Sequence, residues 1–310
     1  MKLVLYQDLP LAPDSPVHPG VLNGDTVVSI EGAVGHLRRG YAQQLIEEII
    51  DNFETLRPEF ERLSASSPGV RLSSVRLRAP LPRPSKILGC IGNYWEHAQR
   101  EARPLNMFLK SSDAVIGPGD TVVLPNFQEP YVFQHEAELG IVIKGPAKSV
   151  GQDDYLKAVF GYTCFIDVSA RAEGRRTWRD GSWMGKSFDT FAPIGPCIVT
   201  ADEIPEPNKL AVKLWNNGDL RHDYITDDME HYVPELIAFA TTIMTLNSGD
   251  VIACGTNHEG LGPLQDGEVA EIEIQGIGRM SVNVSDPLKR SWERGIYLGP
   301  NTTARTARPG

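Results

Sequence analysis

In the stretch FQHEAELGIVIKG, residues 133–145, Glu136 and Glu138 stand two positions apart at the head of an apolar run. Side chains two apart on a strand share a face, so these carboxylates lie within a few ångströms of each other and repel. A third carboxylate, Asp167, closes another apolar run, GYTCFIDVSAR, residues 161–171. Three carboxylate oxygens suit a hard divalent ion such as Mg²⁺, Mn²⁺ or Ca²⁺ and leave positions open for water and a chelating substrate. A basic cluster is the other way to neutralise such groups. In water neither is needed, and on Glu136 and Glu138 alone a solvated strand end is the simpler reading. A site of three acids stays negative even with a metal, so a nearby cation is expected; Lys186 in WMGKSFDTFAPIGP is the candidate.

The elements that must position these groups are mostly strands. Leu139, Ile141, Val142 and Ile143 form a near-continuous apolar run, which predicts a strand covered on both faces. Short β runs punctuated by Gly and Pro recur: GPGDTVVLP, PIGPCIVT, LAVKLWNNG, GDVIACGT and GEVAEIEIQG. They predict an antiparallel or mixed β core. One helix interrupts it, opened by Pro234, with Val233, Leu236, Ile237, Ala240 and Met244 on one face. Near the start, GDTVVSIEG reads as a short strand pair. AQQLIEEIIDNFETL puts Leu45, Ile49, Ile50 and Phe53 at helical spacing. The proline-rich APLPRPSK, residues 79–86, reads as a linker. The division expected is a small N-terminal α+β domain over 1–80, a main domain over 86–290 and a tail over 291–310.

Composition narrows the partners. The chain has 310 residues, of which 41% are hydrophobic and 23% charged, the profile of a folded globular protein. A net charge of -10 argues against a general nucleic-acid binder, which needs a phosphate-neutralising basic surface. No apolar run is long enough to span a bilayer, and MKLVLYQDLP is interrupted too early for a signal peptide, so a cytoplasmic location is expected. Cys90, Cys164, Cys197 and Cys254 are far apart in apolar surroundings. Buried free thiols are expected, not zinc ligands or a disulfide framework.

Six segments in this order, GNYWEH, MFLKSSDAVIGPGDTVVLP, HEAELGIVI, GYTCFIDVSAR, GKSFDTFAPIGP and TLNSGDVIACGT, resemble the fumarylacetoacetate hydrolase family over roughly residues 86–290. The resemblance implies a mixed β-sandwich roll, a small N-terminal domain and usually a homodimer. It also implies Glu136, Glu138 and Asp167 as ligands of a Mg²⁺ or Mn²⁺ ion, Lys186 as the active-site lysine, His97 as general base and Thr256 as a contact to a substrate carboxylate. A histidine with an adjacent carboxylate accepts a proton from water more readily, because the carboxylate fixes its tautomer and stabilises the imidazolium. Tyr94 and Lys110 are further candidates for binding an anionic oxo acid, and Arg171 for bracing the carboxylates. His135 and His258 are read as structural or peripheral.

The chain departs from the family pattern at three places. GNY lacks the residue that usually separates the glycine from Asn93 and Tyr94. The dyad glutamate falls three residues after the histidine in the family, a position held here by Arg100, and the carboxylate is Glu101. One residue rotates a helical side chain by roughly 100°, so Glu101 partners His97 only if the segment adjusts. The usual GTP-x-G turn reads GTNHEGLG, which brings His258 and Glu259 to the mouth of the pocket. The expectation is a metal-dependent hydrolase cleaving a carbon–carbon bond in a β-diketo acid or acylpyruvate, with a substrate preference of its own. Decarboxylation or tautomerisation of a related oxo acid is the alternative enzyme, and an inactive binding or assembly protein the third reading.

Overall fold

The computed structural model describes residues 1–12, 14–37, 40–126, 131–172 and 184–295. Trp183, one of the apolar neighbours of Lys186 in sequence, and residues 296–310 of the tail lie outside them. Two mixed sheets of twelve and five strands dominate the described residues. The longer one has at its centre the antiparallel strands Ala137–Ile143 and Val159–Ile166, every residue of both buried. Parallel pairs join Val251–Ala253 to Ile87–Cys90, and Thr121–Val123 to Gly278–Ser285. This is the α+β fold with mixed sheets that the turn-punctuated runs imply.

Both faces of the long sheet are covered, which explains its apolar run. Leu139, Ile141 and Ile143 pack in one core with Val212, Leu214 and Ile272 of the five-stranded sheet. Val142, on the opposite face, packs with Leu45, Ile46, Ile49 and Phe53 of two helices, α1 (Ala42–Asp51) and α2 (Phe53–Ser66). Each such side chain contributes about 1.5–3 kcal/mol by leaving water. The single helix expected from AQQLIEEIIDNFETL is thus two, broken at Asn52, whose φ of -105° and ψ of 12° turn Phe53 and Phe60 onto the sheet as well. A third helix, α3 (Val233–Ile243), buries Val233, Leu236, Ile237 and Ala240 as expected. None of the described helices is long and apolar enough to cross a membrane.

The N-terminal segment shares the long sheet. Strand Lys2–Asp8 pairs antiparallel with Ala192–Thr200, so hydrogen bonding runs unbroken from the region before residue 80 into the region after 86. The proline-rich connection is irregular but pinned. The buried Asp250 carboxylate accepts from the Lys86 N–H at 2.8 Å and the Ser85 hydroxyl at 2.5 Å.

Candidate metal centre

The central strand pair does not stop at Ala137 and Ile166. The same two chain segments pair again as Tyr131–Gln134 with Ser169–Ala172, in register Gln134 to Ser169. Between the two ladders lie His135 and Glu136 on one segment and Asp167 and Val168 on the other, joined by one bond from the Asp167 N–H to the Glu136 carbonyl at 2.9 Å. Local extension therefore places residues thirty positions apart side by side. Glu138, two residues along on the face of Glu136, completes the group. One oxygen of each of Glu136, Glu138 and Asp167 lies within 4.8 Å of the others, and all three residues are buried. The solvated strand end is thereby excluded: Glu136 is 4% exposed and Glu138 1%.

Cations meet these acids at once. The Lys186 ammonium donates to Glu136 Oε2 at 2.7 Å, Asp167 Oδ2 at 2.6 Å and Ser169 Oγ at 2.5 Å. Lys110 donates to Asp167 Oδ1 at 2.5 Å and to the Val168 carbonyl at 3.3 Å. Arg171 reaches Glu136 Oε1 through its guanidinium and Gln134 Oε1 through Nε at 3.1 Å. Among the described residues no cation is on Glu138, which accepts from the Gly255 N–H at 2.7 Å.

The four buried groups ionise differently as a result. Burial opposes the charge on Glu136, but Lys186 and Arg171 hold its carboxyl well below the usual range. Burial, followed by the neighbouring Asp167 and Glu136 charges, pushes Glu138 well above it. Burial also lowers Lys110 despite Asp167, whereas Asp167 and Glu136 together outweigh burial and raise Lys186. A compact, all-oxygen group of three buried acids fits a hard divalent ion. Sulfur takes no part. All four cysteines are free and buried, and none belongs to the group.

The remaining sequence candidates are placed less uniformly. Thr256 is buried one residue beyond the Gly255 N–H that binds Glu138. Tyr94 is fully enclosed, its ring edge-on to Tyr224 at 5.0 Å. Lys110 points into the acids. His97 and Glu101 are not brought together: the His97 side chain is 70% exposed with Nε2 3.6 Å from Glu259, and Glu101 is exposed. Arg100, in the place of the family's dyad acid, and Arg103 both bind the Glu230 carboxylate, whose side chain is wholly buried.

His258 and His135, read from sequence as structural or peripheral, differ from each other. His258 Nδ1 is 2.5 Å from Glu96 Oε1, and both side chains are about a quarter exposed. The sequence placed His258 near the pocket mouth but did not single out Glu96, which lies 162 residues away in the chain. His135 is fully buried, its Nδ1 3.0 Å from His222 Nε2. His222 Nδ1 lies 3.1 Å from the Asn257 carbonyl, which requires a proton there. His222 Nε2 also lies 3.4 Å from the His135 carbonyl, and burial lowers the pKa of both rings.

Comparison with known proteins agrees with this arrangement. A sequence model of the fumarylacetoacetate (FAA) hydrolase C-terminal region matches residues 86–285. The chain is 32% identical to a maleylpyruvate hydrolase of Aquipseudomonas alcaligenes over 282 residues, covering 86% of this chain and 95% of that protein. It is 37% identical to an oxaloacetate tautomerase of Bacillus subtilis over 223 residues, covering 68% of this chain and 73% of that protein. A solved maleylpyruvate hydrolase from Sphingobium sp. SYK-6, in complex with manganese(II) and pyruvate, superposes with a TM-score of 0.80 at 34% identity. That match covers 92% of this chain and 99% of the other. With the family model spanning all three acids and both lysines, the chain belongs to the fumarylacetoacetate hydrolase family.

Proposed function

We propose that the protein is a divalent-metal-dependent hydrolase that cleaves a carbon–carbon bond in an acylpyruvate or related β-diketo acid. The observation that carries this reading is the buried group of Glu136, Glu138 and Asp167 with Lys186 across two of its members. Similarity to maleylpyruvate hydrolases over most of the chain supports it. A Mg²⁺ or Mn²⁺ ion held by Glu136, Glu138 and Asp167 would supply Lewis-acid polarisation of the substrate's oxygens. Lys186 supplies a fixed positive charge beside them, where a developing oxyanion or enolate needs it, in surroundings that exclude water. Lys110 and Arg171 hold the Asp167 and Glu136 carboxylates in place. Thr256, next to the Glu138 acceptor site, offers a hydroxyl to the substrate's carboxylate.

A second reading is tautomerisation of a related oxo acid such as oxaloacetate. The separation of His97 from Glu101 favours it, because enolisation needs no activated water, and an oxaloacetate tautomerase is among the chain's relatives. Product analysis separates the two. Incubation of acylpyruvates with the protein and Mn²⁺, followed by NMR, is expected to yield pyruvate and a second carboxylic acid in equal amounts. Keto–enol interconversion of oxaloacetate with no cleavage of any acylpyruvate would replace the first reading by the second.

A further inference from the structure

Hydrolysis needs a group that takes a proton from water and returns it to carbon, and the structure offers a different one from the family pattern. At the place of the family acid, Arg100 is committed to Glu230. Glu101 faces solvent, and His97 points outward to Glu259. The backbone explains the divergence. Glu96 and His97 both take left-handed conformations, with φ of 52° and 58°, which non-glycine residues adopt only at a cost. With this twist the Glu96 side chain is 24% exposed, whereas that of His97 is 70% exposed.

Glu96 Oε1 accepts from the His258 N–H at 3.0 Å and lies 2.5 Å from His258 Nδ1. Both segments hang on one anchor. Asp228 Oδ2 accepts from the Glu96 N–H at 3.2 Å and from Asn257 Nδ2 at 3.0 Å. With Nδ1–H donating to the carboxylate, His258 Nε2 carries the lone pair, and it has no hydrogen-bond partner among the described residues. His258 stands three residues past Gly255, whose N–H binds Glu138, and directly after Asn257, whose carbonyl meets the His222 ring that packs on His135 beside Glu136. Burial opposes the charge on Glu96, and the bonds from His258 outweigh it and keep the carboxyl below its ordinary range.

We propose that His258, oriented by Glu96, is the proton carrier of this site, in the role that the family resemblance gives to His97 and Glu101. The inference rests on the hydrolytic reading. His258 Nε2 takes a proton from water as the water oxygen bonds to the acyl carbon, whose carbonyl π pair moves to oxygen. Collapse of that alkoxide breaks the carbon–carbon bond and leaves its electron pair on the pyruvate enolate. The imidazolium returns the proton to the enolate carbon. Water's hydroxyl ends on the acid and its proton on pyruvate, and Glu96, which touches neither, acts as a positioning residue.

The test uses the full chain, Mn²⁺ and the acylpyruvate the wild type cleaves best. H258A is expected to lower kcat by about 10²-fold, at least tenfold more than H97A. H258N, which keeps a polar side chain in the turn, should do the same. Added imidazole should restore part of the turnover of H258A, and E96Q should lower kcat with KM within threefold of wild type. Mn²⁺ affinity by calorimetry should stay within threefold in all of them. Independently of activity, nitrogen-15 spectra of the metal-free protein should show His258 protonated at Nδ1 and bare at Nε2 at alkaline pH. H258A and H258N turning over within threefold of wild type, with H97A the more damaged, would overturn the assignment, as would the opposite tautomer. If the wild type only interconverts keto and enol forms, the hydrolytic reading falls. The same comparison of variants on that reaction then decides whether His258 carries the proton.

Discussion

The Asp167 N–H donates to the carbonyl of Glu136 at 2.9 Å, the one backbone bond across the gap between two ladders of the same strand pair. Two acids that repel are therefore fixed together by the backbone before any ion arrives, and their neighbours must bear the cost.

That cost is unequal, so the ligands respond differently to neutralisation. D167N strips Lys110 and Lys186 of their shared carboxylate and leaves buried ammonium groups short of countercharge. It is expected to destabilise the metal-free protein by about 3 kcal/mol. E138Q replaces a carboxyl whose pKa burial and the neighbouring acids raise, and which bears no cation among the described residues. Its melting temperature without metal should stay close to wild type. Both variants should lose metal-dependent turnover. Calorimetric melts with and without Mn²⁺ check this, and equal destabilisation by the two would contradict the division of charge described above.

Lys186 competes with a cation for Glu136 and Asp167 while serving the reaction. K186M should therefore bind Mn²⁺ more tightly than wild type, yet lower kcat by roughly 10²–10³-fold. Calorimetry and steady-state kinetics give the two signs separately. Weaker Mn²⁺ binding would show that the ammonium supports the acids more than it opposes the ion.

Glu230 holds residues 95–105 in place. Its carboxylate accepts from the Arg103 N–H at 2.6 Å and from both arginine guanidinium groups, which hold it down to about 2 in spite of burial. With the folded value below the unfolded one, this contribution is present above the ordinary carboxylate pKa and lost as pH falls toward about 2. E230Q should cost about 2 kcal/mol or more, concentrated in this segment. Hydrogen exchange should accelerate in residues 95–105 and leave the strand Val159–Ile166 unchanged; uniform acceleration would count against a local clamp.

The His135–His222 pair makes acid costly. Burial outweighs the bonds to the His135 and Asn257 carbonyls, which favour the charged ring, and lowers His222 from 6.5 to about 4. Below the higher value the unfolded chain gains a proton that the native ring refuses. Stability is full above about pH 6.5 and falls by about 3 kcal/mol toward pH 4. H222Q should show a shallower loss of melting temperature between these limits. An unchanged slope would mean that the ring charges in place.

The sequence was readable where chemistry and period coincide. Glu136 and Glu138 share a face because strand side chains alternate, and Asp167 joins them because the next strand returns antiparallel. Lys186 was legible as a cation wanted by those acids, and the four cysteines as buried thiols. Lys110 was legible only as a basic residue, since nothing local says that its strand, Met107–Lys110, ends against Asp167. Glu96 and His258 meet through two irregular turns, which have no period to read, and a pair of left-handed residues reverses which side chain faces inward. Asn52 divides a helix whose apolar spacing continues across the break, so spacing alone runs the two together.

The interrupted ladder also bears on how such a protein can diversify. The three acids ride on one antiparallel pair, where inserting a single residue on either side reverses every side chain beyond it and dismantles the cluster. The turns carrying Glu96 and His258 obey no such parity. They can lengthen, shorten or exchange partners while the acids stay in register. Descendants of this scaffold are accordingly free to change the chemistry around the acids far more easily than the acids themselves.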